Sequence, residues 1–118
     1  MASDKNFVEY VVDQIKNAGT ITFIKMFGEY GIYSDGKIFA LVCDNKLFIK
    51  PTNAGREFIK EVVEAPPYPG AKLYFYIEDK LEDHDWLSEL VRVTVKELPE
   101  PKPKKKKAKK GKGQTSQN

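Results

Sequence analysis

The sequence predicts an α+β domain in which antiparallel strands are flanked by helices, in the order α-β-β-β-(β)-α-β-α. Two changes of period carry that prediction. Near the N-terminus apolar residues recur at helical spacing, whereas residues 20–50 switch to β-branched and aromatic runs broken by short turn sequences. Helical spacing then returns after residue 52 and again after residue 83.

The first helix is expected over about residues 4–17. Phe7, Val11 and Ile15 share one face, Val8 and Val12 widen it, Ser3 is available as N-cap, and Gly19 can end it. From Thr20 the runs ITFIKMF, YGIYS, KIFALVC and KLFIK read as strands. Gly28 and Gly31 bracket the first turn, Ser34-Asp35-Gly36 forms the second, and Asp44-Asn45 the third. Such short connections pair neighbouring strands antiparallel.

Thr52 or Asn53 can cap a second helix, with Phe58, Ile59, Val62 and Val63 as its buried stripe and Pro66 and Pro67 as its stop. The run KLYFYIED alternates Leu73, Phe75 and Ile77 with Tyr74 and Tyr76, which suits a strand packed on both sides. Asp83 opens a third helical pattern through Trp86, Leu87, Leu90, Val91, Thr94 and Leu98. Val91 to Val95 also alternates like a strand, so periodicity alone leaves that segment open.

Charge divides the chain in two. Residues 1–98 hold 12 Lys and Arg against 16 Asp and Glu, giving −4. Residues 99–118 hold Lys102, Lys104, Lys105, Lys106, Lys107, Lys109, Lys110 and Lys112 against Glu100 alone, giving +7. That segment has no aromatic residue and no aliphatic one larger than Ala or Pro, so it is expected to be a disordered lysine-rich tail behind a domain at 1–98. Each lysine that neutralises a phosphate releases counterions, so the tail could tether DNA or RNA without base readout. A solubilising extension, or one that folds back on the acidic body, is the alternative.

The N-terminus shows no signal-peptide pattern and the chain no membrane-length apolar run, which places it in the cytoplasm and away from membranes as an expectation. Cys43 is the single cysteine, which excludes an intrachain disulfide and a thiolate metal cluster within one chain.

The stretch Lys25-Met26-Phe27-Gly28-Glu29-Tyr30-Gly31-Ile32-Tyr33, followed by Asp35-Gly36-Lys37-Ile38-Phe39-Ala40-Leu41, resembles the signature of the N-terminal domain of the TfoX/Sxy competence regulators. Lys46 to Lys50, Pro67-Tyr68, Leu73 to Tyr76 and the segment from Leu81 to Leu98 extend the resemblance over nearly all of residues 7–98. It implies a compact α+β fold similar to secretion-chaperone-like domains, and it tips the segment after Asp83 toward helix. It also implies a regulatory role, assisting a transcription activator, with no catalytic residue, cofactor or metal ligand to carry over. Glu29 departs from the second glycine that many relatives have there, and a lysine tail stands where the full competence regulators continue into another domain.

Within the signature, Gly28 and Gly31 are expected to supply positive φ to a tight turn, and Phe27, Tyr33 and Phe39 to pack the faces beside it. Met26, Tyr30, Asp35, Gly36 and Ala40 complete this turn-and-packing set.

Other motifs read as structure. His84 lies among Glu82, Asp83 and Asp85, but successive helical residues point about 100° apart and cannot converge on one ion. Ser88 could reach His84, yet no nucleophile elbow or oxyanion hole accompanies the pair, and the acidic cluster suits a helix N-terminus. Gly28-Glu29-Tyr30-Gly31 spells the GxxG of KH loops, but its flanks read as strands and Glu29 would repel phosphate. No GK[ST] follows to make a phosphate-binding loop.

Cys43 reads as a small buried hydrophobe. Pro66-Pro67-Tyr68-Pro69 reads as a rigid connection, and Tyr30, Tyr33, Tyr74 and Tyr76 as sheet and core packing rather than a stacking platform. The function expected is therefore a non-enzymatic regulatory adaptor with an unidentified protein partner and a tail attracted to DNA or RNA. Nucleic-acid binding by the folded body and an enzyme with an unrecognised pocket are the rivals, and a homodimer through an exposed edge strand is open.

Overall fold

The computed structural model describes residues 3–100. In chain order they form α1 (Lys5–Gln14), a 3-10 turn (Lys16–Ala18), β1 (Ile21–Met26), β2 (Glu29–Ser34), β3 (Lys37–Cys43), β4 (Lys46–Ile49), α2 (Asn53–Ile59), β5 (Glu64–Ala65), β6 (Tyr74–Ile77) and α3 (His84–Glu97). The expected α+β architecture is present. The sheet is antiparallel with strand order β1-β2-β3-β4-β6-β5.

Three two-residue hairpins build its first four strands. Phe27-Gly28, Asp35-Gly36 and Asp44-Asn45 all have both residues at positive φ, the backbone whose twist matches that of the strands it joins. The first hairpin departs from expectation. Gly31 lies inside β2, paired with Ile24 and Leu41, and Phe27 takes the left-handed place at φ 53°. One extra residue in β3, Phe39, opens a bulge between the pairs Ile32–Ala40 and Tyr33–Ile38.

Strand alternation sorts side chains to two faces. On the inner face Tyr30, Val42, Leu47 and Ile77 form one row across four strands, and Ile32, Ala40, Ile49 and Phe75 the next. All eight are buried, in one core with Phe39, Val8 and Val11 of α1 and Leu87, Leu90 and Val91 of α3. The helices therefore form a single layer on one side of the sheet.

Two helices start where expected. The Thr52 hydroxyl accepts from the Gly55 N–H at 2.9 Å, and the Asp83 carboxylate accepts from the Trp86 N–H at 3.1 Å. The third segment is helical to Glu97, because Leu87, Leu90, Val91 and Thr94 share its buried face.

Ser3 does not cap α1. Asp4 holds the N-cap position without a side-chain bond. The Ser3 hydroxyl instead donates to Glu29 Oε1 at 2.5 Å and accepts from the Asn45 N–H at 3.1 Å.

The second helix is shorter than its apolar stripe suggested. It ends at Ile59, Lys60 turns left-handed at φ 72°, and Val63 is exposed. The following residues pair with β6 instead: Tyr76 N–H donates to the Val63 carbonyl at 2.8 Å, and Arg56 holds Glu64 at 2.7 Å. Sheet pairing wins over helical propensity in that short stretch.

Candidate functional site

With the helices on one side, the other side of the sheet has no covering layer among the described residues. Ile24, Gly31, Leu41, Phe48 and Tyr76 make a row across five strands, and Thr22, Tyr33 and Ile38 make a second. None of these residues belongs to the helix-covered core. Ile24 is 53% exposed, Tyr33, Ile38, Leu41 and Tyr76 are half-buried, and Gly31 and Phe48 are buried within the rows. Phe48 and Tyr76 pack their rings 5.5 Å apart. Burial, and then the Glu78 carboxylate, raises the Tyr76 phenol above its ordinary value, and burial raises Tyr74, so both rings stay neutral. The result is an apolar, aromatic surface whose charged residues, Glu29, Lys46, Lys50 and Glu78, fall at strand ends.

The signature residues divide between this surface and the fold. Met26, Gly31 and Tyr33 gather on the open face. A Cβ at Gly31 would lie 2.6 Å from Met26 Cε and 3.0 Å from Ile38 Cδ1, so the missing side chain is what lets those two lie flat over the strand. This role replaces the positive φ expected of Gly31. Tyr30, Phe39 and Ala40 are buried on the inner face, with Tyr30 edge-on to Phe23 at 5.8 Å. Asp35 ties the second turn to β1: its N–H donates to the Thr20 carbonyl at 2.9 Å and its carboxylate accepts from the Thr20 N–H at 3.3 Å. Gly36 supplies the positive φ there.

Phe27 corrects the expectation that it packs beside the turn. It is fully exposed and left-handed. A bulky residue in that conformation costs on the order of 1 kcal/mol and here recovers nothing from burial. Sequence reading missed it because an aromatic beside glycines ordinarily signals packing.

Glu29 has a structural task at the same end of the sheet. Besides Ser3, its Oε1 accepts from the Asp44 N–H at 3.2 Å, and the Ser3 N–H donates to the Gly28 carbonyl at 3.0 Å. The carboxylate thus clasps the N-terminal segment to two turns. Cys43 adjoins it, buried, with its thiol pushed up to about 11 by burial and by the Glu29 charge. At neutral pH it is a protonated thiol with little nucleophilic character.

The remaining candidates stay apart. His84 is exposed beside Asp85, 3.2 Å away, while the Ser88 hydroxyl donates to the Gln14 carbonyl at 3.2 Å and ties α3 to α1. Among the described residues no His, Cys, Asp and Glu group could hold a metal. A cavity of about 480 Å³ lies between α2, β6 and α3, with the Phe58 and Trp86 rings 5.4 Å apart and tilted by 39°, and Lys80 over the Trp86 ring. Its lining includes no histidine, cysteine or hydroxyl nucleophile other than Tyr76. No helix among the described residues is long and apolar enough to cross a membrane. Lys102, Lys104, Lys105, Lys106, Lys107, Lys109, Lys110 and Lys112 lie outside the described residues.

Residues 13–98 match the family model of the TfoX N-terminal domain, and they contain all six strands, α2, α3 and both faces of the sheet. The chain belongs to the TfoX N-terminal domain family. It is also similar to a Spirochaeta aurantia protein described as an uncharacterized 12.7 kDa protein in the trpE 5′ region, with 43% identity over 99 residues, covering 84% of this chain and 86% of that protein. The TfoX N-terminal match takes in the whole Met26-to-Ala40 signature, whose open-face members are Met26, Gly31 and Tyr33.

Proposed function

We propose that this TfoX N-terminal domain is a non-enzymatic regulatory adaptor that receives a protein partner on the open face of its sheet. The observation that carries the reading is the row Ile24, Gly31, Leu41, Phe48 and Tyr76, an apolar surface that the helix layer leaves uncovered. Contiguous apolar surface of this kind marks sites of association. Phe27 supports it, as an aromatic held at a backbone cost and fully exposed among the described residues. Family membership supports a regulatory role, which extends here to transcription or competence in the cytoplasm.

The lysine tail supplies weak attachment to DNA or RNA, through charge and not through base contacts. The folded body makes no comparable contribution, since residues 1–98 carry −4 and would repel phosphate on balance.

The two halves of the proposal are tested separately. Co-purification from the native cell should yield a partner with the wild-type chain and lose it with Tyr74→Arg/Tyr76→Arg; retention of the same partner at wild-type levels by that variant contradicts the docking face. In fluorescence anisotropy, short duplex DNA and single-stranded RNA should bind the full chain at low salt and dissociate as salt rises. Replacing the eight tail lysines by Gln should abolish that binding, and binding that survives the replacement would move the contact to the body.

A further inference from the structure

We propose that the protein forms a two-fold homodimer by antiparallel pairing of its β1 edges, in the register centred on Phe23. The inference stands apart from the docking face, because it rests on backbone groups at the side of the sheet.

β1 is an outer strand. In a two-residue hairpin the pair flanking the turn, here Met26 and Glu29, exchanges hydrogen bonds, and every second pair after it does the same. Asp35 N–H donating to the Thr20 carbonyl fits that phase. Thr22, Ile24 and Met26 therefore spend their N–H and C=O groups on β2, and Ile21, Phe23 and Lys25 aim theirs outward. Among the described residues no backbone or side-chain hydrogen bond outside the strand ladders reaches these three.

The two edges of the sheet are not equally guarded. β5, at the other edge, has two residues and runs into Pro66 and Pro67, devices that stop a strand from adding. β1 has six residues in unbroken register with β2, no proline and no bulge. Its one charge is Lys25.

The occupant that these features fit is a second copy of this chain. Antiparallel pairing about Phe23 sets Phe23 against Phe23 of the second copy and Ile21 against Lys25, so that every outward donor and acceptor of both strands is used. Centring on Lys25 would place two ammonium groups face to face, and centring on Ile21, Thr22 or Ile24 would leave an outward group of β1 outside the strand ladder, so only the Phe23 register uses all three. In the Phe23 register each Lys25 meets an isoleucine, and the two lysines are separated by about four residues of strand, more than a Debye length. The same register carries the turn bearing exposed Phe27 to Gly19 of the second copy, where no side chain stands in the way.

Sedimentation equilibrium of the full chain tests this with two edge variants. Lys25→Pro removes one outward N–H at a position where an edge strand tolerates proline, and Thr22→Lys/Ile24→Lys sets like charges opposite each other across the axis while leaving the backbone whole. Circular dichroism checks that both remain folded. The wild type should sediment at twice the chain mass, and each variant should weaken dimerisation by on the order of tenfold or more. Equimolar Thr22→Lys/Ile24→Lys and Thr22→Glu/Ile24→Glu should restore the dimer as a mixed species. A wild type that stays monomeric overturns the proposal, as does a dimer indifferent to both edge variants.

Discussion

Single residues in this domain are held by backbone demands as often as by packing. Phe27 is the clearest case, because type I′ turns favour Asn, Asp or Gly at its position and the aromatic ring is fully exposed. Phe27→Asn should raise stability by about 0.5–1 kcal/mol in urea unfolding, with no change in slope; a loss of stability would mean that the ring packs on its own chain. Gly31 shows how far sequence can be read at this scale. The glycine was legible as required, but its reason was not, since a flattened Met26 and Ile38 above it are tertiary facts. Ser3 carries the same lesson. A serine before a helix is ordinarily its cap, and only the closeness of Glu29 and Asn45, far along the chain, takes the hydroxyl away.

At the scale of elements, α2 and α3 are joined more tightly than their sequences disclose. Gly55 is buried where α2 meets the rest, and a Cβ there would lie 2.8 Å from Thr52 Oγ1, 3.2 Å from Phe75 and 3.4 Å from Thr94 Oγ1. Thr52 cannot move aside without giving up the N-cap bond. Gly55→Ala should therefore lower stability, the overpacking cost of ~1–3 kcal/mol outweighing the ~1 kcal/mol that alanine gains in a helix. An unchanged or higher melting temperature would show that the close approach relaxes freely.

The far end of α3 supplies the complement. Glu97 accepts from the Ala54 and Asn53 N–H groups at 2.8 and 2.9 Å, so its carboxylate caps α2 from another helix. Lys37 donates to the Val95 and Leu98 carbonyls at 3.1 and 3.0 Å and so caps α3. Those N–H donors hold the Glu97 carboxyl below its ordinary value of 4.5. A depressed folded value means stability that is present above the unfolded value and lost as pH falls through the folded one. Glu97→Gln should flatten the fall of melting temperature as pH drops below the ordinary carboxyl value of 4.5 and leave its pH dependence above that value unchanged, and an acid limb identical to wild type would remove the cap from the explanation.

The hairpins were legible because Asp-Gly and Asp-Asn between β-rich runs leave few other conformations. β5 was not, because two residues after a helix carry no period to read. The helical nature of residues 91–95 was undecided by pattern, and burial of Leu90, Val91 and Thr94 along one face settled it.

Taken together, the described residues form a two-layer structure with the helices on one side and an aromatic sheet surface on the other. The composition of the strands announced the sheet, but not which face would lie bare, because β2, β3 and β4 are apolar on both faces and period-two reading assigns neither to solvent. Family membership was legible in the Met26-to-Ala40 signature, and the open face was legible only once Met26, Gly31 and Tyr33 were seen to share it. Methyl NMR of the full chain with its co-purified partner tests that surface most directly. The expected result is that the Ile24, Met26, Ile38 and Leu41 methyl signals shift on addition of the partner while those of Leu87, Leu90 and Val91 in the helix-covered core stay in place. Shifts confined to the helix-side methyls, with the open face silent, would contradict it.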